Sequence, residues 1–369
     1  MKDFDFIVVG GGLVGSSIAY GLARQDHRVA VLDGGDRSFR ASRGNFGLVW
    51  VQGKGWDFAP YAQWTGYAAN LWPQFAEQLA AETSVEIDYR RSGGMHFCLE
   101  EQEWDERVSE MELIRQHTDG LFEYEMLSHD QVKALIPQIS SNVLGASYSA
   151  QDGHVNPLYL LQALQQGMDC HQVQYFPNQV IDKIEVGQDG FRAHATEGVV
   201  SAGKIVLCAG LGNRRLGEML GMDIPVVVDR GQIMITERLQ PFLNMPTLQV
   251  RQTAEGTVQI GDSHEDVGLD DGTSPSVLKK IARRAVMMFP FLQRVRLVRA
   301  WGALRIMTPD NNPIYQQSAE CPGAFTVTCH SGVTLAAMHA GPVADWIAGR
   351  DGQNLINHFS TDRFNVSQN

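Results

Sequence analysis

Two hydrophobic rhythms alternate along the chain. Residues 6–9 and 29–32 are unbroken apolar runs rich in β-branched side chains, the pattern of strands buried on both faces. Between them Val14, Ile18, Leu22 and Ala23 recur at helical spacing, so the start of the chain reads as strand–helix–strand. Further along, 62–82 reads as a helix that Pro73 kinks or divides, 86–99 as a strand pair around Gly93-Gly94, and 101–117 as a charged amphipathic helix. Residues 203–213 read as a buried strand ending in a glycine turn. Residues 225–237 and 257–266 read as strands, 275–289 as a helix, and 324–349 as a strand, a turn and a last helix. Strand–helix units therefore stand at the start, near 150–215 and at the end, with strand-rich material at 85–145 and 225–300. That order predicts a nucleotide-binding domain of sequence-distant pieces interleaved with a second domain. No internal repeat, low-complexity tract or Pro/Ser-rich linker interrupts it.

The turn after the first strand carries Gly10, Gly12 and Gly15 in G-x-G-x-x-G spacing. Gly10 permits the tight turn, Gly12 lets backbone approach a pyrophosphate, and Gly15 lets helix and strand pack closely. The free N–H groups of the following helix face the phosphates. Asp33 closes the second strand and can accept hydrogen bonds from a ribose hydroxyl. Strand, helix, second strand and acid in register point to a dinucleotide; they do not choose between FAD and NAD.

Composition narrows the classes. A chain of 369 residues, 44% hydrophobic and 20% charged, suits a globular protein of two domains. The net charge of −12, without a block of like charges, argues against nucleic-acid or anionic-membrane surfaces. The charged start leading straight into a strand is not a secretory signal, and no apolar run approaches the ~20 residues needed to cross a bilayer. A cytoplasmic location is the expectation. Cys98, Cys170, Cys208, Cys321 and Cys329 show no CxxC spacing, and the eleven histidines no HxxxH or HExxH, so no metal site is expected.

Five separated motifs make the chain resemble the glycine oxidase/sarcosine oxidase/D-amino-acid dehydrogenase family of FAD enzymes over nearly its whole length: GGGLVGSSIAY with Asp33; ASRGNFG (41–47); GHVNPLYLLQAL (153–164); VLCAGLGN (206–213); and WGALRIMTPDNNPI with CHSGVTLA near the end. Within that family, the segments RASRGNFGLVWVQGKG and CHSGVTLAAMHAGP look most like the FAD-bearing subunit of opine dehydrogenases, which oxidise octopine or nopaline. Hydroxyproline and proline dehydrogenase subunits and hydrogen cyanide synthase are near neighbours. The resemblance implies an α/β FAD-binding domain of Rossmann-like, glutathione-reductase type (1–85, 146–225, 300–369). Interleaved with it would be an α+β substrate domain on a largely antiparallel sheet (86–145, 226–299).

By the same resemblance, FAD would contact Gly10, Gly12, Leu13, Val14, Gly15, Asp33, Ser42, Arg43, Asn45, Phe46, Gly47, Ala209, Gly210, Gly302, Ser331 and Gly332, and pair with backbone at Val180. The N–H groups of Gly332, Val333 and Thr334 would face the flavin's N1–C2=O edge, where charge accumulates on reduction, while Thr334 can equally be a helix N-cap. Two departures matter. Asp33 stands where the family usually has Glu, and Ala303 stands where monomeric sarcosine oxidases tether FAD through cysteine, so the flavin is expected to be non-covalent.

Arg305 occupies the family's carboxylate-binding position; a guanidinium grips a carboxylate with two parallel hydrogen bonds. The alternative is a structural pair with an acid such as Asp310. Lys54 would bind a second carboxylate, tune oxygen reactivity or simply sit on a surface loop. His264 would reach the pocket or mark a polar strand end. The implied reaction is oxidation of a secondary amino acid: hydride transfer to flavin N5, then hydrolysis of the imine. An opine would give an amino acid such as arginine and a 2-oxo acid. Alternatives are a D-hydroxyproline or proline dehydrogenase, a glycine- or sarcosine-type oxidase releasing peroxide, and a flavin-carrying scaffold subunit. The opine likeness also implies partner subunits carrying flavin or an iron–sulfur cluster, with FMN at such an interface.

Overall fold

A computed structural model describes residues 3–35, 41–350 and 356–368. The expected domain pieces 1–85 and 300–369 run on through positions outside the described residues. An eight-stranded sheet has Phe4–Val9 at its centre, with Val29–Asp33 and Gln174–Pro177 on one side and Gly198–Leu207, Ala324–Thr328 and Ile314–Gln317 on the other. Strands from Gln174–Pro177 to Ala324–Thr328 run parallel, and Ile314–Gln317 closes that edge antiparallel. Ile7, Val8, Ala30, Val31 and Leu32 are wholly buried, as strands covered on both faces must be. The helix Leu13–Ala23 crosses between the first two strands. It packs closely because Gly15 presents no Cβ to the Gly10 carbonyl at the end of the first strand, nor Gly21 to the Ala340 carbonyl of the last helical segment.

Beyond this layer, Val227–Thr236 lies between Val258–Ile260 and the long strand Leu297–Met307 in a four-stranded antiparallel sheet. A three-stranded antiparallel sheet, Gly94–Cys98, Gly145–Ser149 and Glu125–Ser128, adjoins it through a bridge from Met95 to Thr247. The helix Pro275–Met288 covers both with Ile281, Ala285 and Met288, one face at i, i+4, i+7. The antiparallel part is thus two small sheets sharing one core around Phe97, Met234, Val250 and Phe289.

Several sequence expectations shift. The boundary at 300 falls inside Leu297–Met307, which pairs along its length with Val227–Thr236, and the boundary at 146 falls inside Gly145–Ser149. The strand pair at 86–99 is one strand, Gly94–Cys98: Arg90 and Gly93 give their N–H groups to the carbonyls of His154 and Asp152, so this segment's first half pairs elsewhere. Pro73 sits inside an unbroken helix, Ala59–Glu82. The last helix comes in pieces, Ala336–Met338, a π-turn at His339–Val343 and Ala344–Ala348, because Pro342 has no N–H to continue the ladder. Charge is also less even than the totals suggest: between 274 and 309 there are eight cations and no acid. Of these, Lys279, Lys280 and Arg283 lie exposed on the covering helix, while Arg284 pairs with Glu103.

Candidate active site

The glycine turn forms a cleft at the carboxyl end of the parallel strands. Gly10 has φ +107° and a Cβ there would lie against the Cys208 carbonyl; a Cβ on Gly12 would stand 2.8 Å from the Ser42 hydroxyl. Ser42 Oγ accepts the Leu13 N–H at 2.9 Å, so it caps the first helical turn. Asp33 accepts the Tyr175 hydroxyl at 2.8 Å. From Val180 and Gln179 the cleft runs past Asp33, Ala209 and Gly210 to Ser42, Arg43 and Asn45, ending at Cys329, His330 and Gly332. Bare glycine backbone beneath, a helix N-terminus at the middle and a carboxylate at the end of the second strand fit FAD. Leu13 and Val14 also line the cleft. Gly15 lies beneath as a packing position, and Gly47, at φ +84°, turns the chain against the Val155 carbonyl. The Val180 N–H is given to Thr196 Oγ1 at 3.1 Å.

A second cavity of about 160 Å³ adjoins the cleft at Ala41, Asn45 and His330. Phe46, Trp50, Lys54, Arg305 and Asp262 line it, as do Ser331, Val333 and Thr334, which border this cavity and not the cleft. Antiparallel register sets Asp229 directly across from Arg305, whose Nη1 donates to Asp229 Oδ2 at 2.8 Å and to the Ser263 carbonyl at 2.6 Å. Nη2 donates to Asp262 Oδ2 at 2.8 Å. Gly231 makes room for this arrangement: a Cβ there would meet the guanidinium carbon at 2.5 Å. The structural acids of Arg305 are thus Asp229 and Asp262; Asp310 is taken by Arg363, at 2.7 Å.

Lys54 is the less compensated cation. It stands on a turn between Gly53 and Gly55, both at positive φ, and no ion pair or hydrogen bond to its head is found among the described residues. Burial and the neighbouring Arg305 push its pKa down to about 8. The turn is pinned from behind. The fully buried Asp152 accepts the Val51 N–H at 2.5 Å and the Gln52 side-chain N–H at 2.6 Å, and Arg107 donates to the Gln52 side-chain oxygen Oε1 at 2.8 Å. Burial lifts the Asp152 pKa to about 7. Asp152, Arg107, Asp229 and Gly231 had no signal in the sequence: the first two act through packing of a turn and a helix against the 51–52 segment, the last two through strand register.

Three expected roles are corrected. His264 does not line the cavity: its side chain is 68% exposed, and Nδ1 meets Asp229 Oδ2 at 2.7 Å, behind Arg305. Gly302 contacts no part of the cleft; it lies under the 271–272 loop, where a Cβ would collide with the Asp271 and Gly272 carbonyls. Thr334 is not an N-cap: its hydroxyl accepts the Trp50 N–H at 3.1 Å and donates to the Leu48 carbonyl, tying the Lys54-bearing segment to the flavin-side turn. Among the described residues no cluster of three or more metal-ligating side chains occurs, and no helix is long and apolar enough to cross a membrane.

A family model described as FAD dependent oxidoreductase matches residues 5–346. An opine oxidase subunit from Agrobacterium tumefaciens (strain Ach5) is 40% identical over 369 residues, covering 100% of both chains. Its counterpart from Rhizobium meliloti, also named as an opine oxidase subunit, is 39% identical with the same coverage. The crystal structure of glycine oxidase from Geobacillus kaustophilus has a TM-score of 0.89 at 22% identity, covering 97% of this chain and 98% of that one. At that identity the likeness concerns the fold.

Proposed function

The chain belongs to the FAD-dependent oxidoreductase family, and from that premise we propose that it oxidises the C–N bond of a secondary amino acid bearing two carboxylates, an opine such as octopine or nopaline. The observation that carries this reading is the pair of cations in one small cavity beside the FAD cleft: Arg305, fixed by two aspartates, and Lys54, whose head makes no close ion pair among the described residues. A substrate with one carboxylate needs one of them; an N-(carboxyalkyl)amino acid uses both. The relatives named as opine oxidase subunits, about 40% identical, support the same class.

Bound FAD would supply the acceptor for the substrate's α-C–H hydride, and water would then cleave the imine to an amino acid and a 2-oxo acid. The chain's own work is placement. Arg305 offers a planar donor edge at a position that Asp229 and Asp262 hold still, and Lys54 adds a point charge from the opposite loop. No strong base is required when the amine binds as its free base. Trp50 and Phe46 give the same cavity apolar walls.

That the relatives are named as one subunit of an opine oxidase supports an assembly with further subunits. We infer that those subunits take the electrons onward through flavin or an iron–sulfur cluster, with FMN at an interface. The experiment is a substrate comparison with purified protein. Opines should be oxidised with kcat/KM at least tenfold above glycine, sarcosine and proline; the reverse order would overturn the reading in favour of a small-amino-acid oxidase.

A further inference from the structure

His330 occupies the wall where the two cavities adjoin, contributing to both. Substrate held by Arg305 and Lys54 must meet the flavin at that junction. The ring makes no hydrogen bond among the described residues, and neither ring nitrogen is sealed off from the cavities. The charged groups around it are Lys54 and Arg305, with Asp262 on the cavity wall, His264 beyond and the Cys329 thiol preceding it. Burial first, then the two cations, hold the imidazole neutral, well below its ordinary pKa. A neutral imidazole has one donor and one acceptor nitrogen.

Resting on the dicarboxylate reading above, we propose that the His330 imidazole is the hydrogen-bond partner of the substrate's amine nitrogen, accepting its N–H and leaving the lone pair on nitrogen free to drive hydride departure. The amine sheds its extra proton to solvent before it binds: one N–H bond breaks and its electron pair stays on nitrogen. Arg305 and Lys54 then fix the two carboxylate ends, and His330 fixes the centre. Three anchors of this kind define a plane for the substrate, which a pair of carboxylate contacts alone does not. His330 is a specificity-determining residue in this account: as an acceptor it favours a bridge that carries an N–H over one that carries none.

Calorimetry on the FAD-loaded protein tests this with two ligands that have no α-hydrogen to lose. One is 2,2′-iminobis(2-methylpropanoate), with an N–H bridge; the other is its ether analogue, with oxygen in that place. At pH 7, where Lys54 keeps its charge, the amine-to-ether affinity ratio of the unaltered protein should exceed that of His330→Leu about tenfold, the worth of one well-placed hydrogen bond in a dry site. His330→Leu should lose that preference while keeping its affinity for the ether, and His330→Gln, whose amide oxygen still accepts, should restore part of it. A preference unchanged in His330→Leu, or an equal loss of both ligands, would overturn the role of His330 and leave the dicarboxylate reading standing. Failure of the unaltered protein to bind either ligand would overturn the dicarboxylate reading itself, and this proposal with it.

Discussion

Replacing Lys54 by Met should make the protein more stable and less able to hold its substrate. The side chain keeps its length and loses a cation that is enclosed beside Arg305, with Asp262 the acid nearest in effect but no close ion pair among the described residues. Its pKa falls from 10.5 to about 8 on folding. At ~1.4 kcal/mol per unit the charged head costs on the order of 3 kcal/mol, an upper figure because part of the head borders the cavity. The sign follows from linkage. Between pH 8 and pH 10.5 the unfolded chain binds the proton that the folded chain has shed, so the unaltered protein gains stability as pH rises through that window. Below about pH 8 the penalty is fully present. Thermal melts of both FAD-loaded proteins at pH 6.5 and pH 10 read the difference. Lys54→Met should melt a few degrees higher at pH 6.5, with the gap closing by pH 10. Adding 2,2′-oxybis(2-methylpropanoate), a dicarboxylate, should raise the melting temperature of the unaltered protein and do much less for the variant. A variant that melts lower at pH 6.5, or a gap indifferent to pH, would refute the claim that Lys54 waits for an anion.

Other substitutions probe the remaining parts. Arg305→Ala should cost about 2–5 kcal/mol in kcat/KM for an opine, because it removes a carboxylate anchor and strands Asp229 and Asp262; a loss under about fivefold in steady-state rates would contradict the assignment. Gly12→Val should yield protein without yellow colour, since even a Cβ would stand 2.8 Å from Ser42 Oγ and a branched side chain would fill the pyrophosphate's approach; normal flavin absorbance in the purified variant would contradict the cleft's role.

What the sequence made legible was what depends on local spacing. The apolar runs at 6–9 and 29–32, the helical repeat between them and the three glycines gave the strand, helix and cleft in their observed places, because each is fixed within about thirty residues. Arg305 and Lys54 were visible as candidates, yet their meeting across a cavity was not. It depends on the pairing of Leu297–Met307 with Val227–Thr236 and on a turn pinned by Asp152 from a third segment. The same dependence hid Asp229 and Gly231, and it misled at Gly302, whose place in a motif suggested the flavin while strand alternation turned it under a loop. His264 stood near the right residues in sequence but on the far side of Arg305 in space. His330 stood within a motif without a role, since only the fold shows that it borders two cavities.

The central claim is that a two-carboxylate amine is oxidised at the junction of the FAD cleft and the Arg305–Lys54 cavity. Anaerobic bleaching of the protein's flavin, followed by absorbance after separate additions of octopine, nopaline, glycine, sarcosine and proline, tests it most directly. Rapid bleaching by an opine, with little or none by the small amino acids, is the result the account predicts. Bleaching by glycine, sarcosine or proline but by neither opine would contradict it.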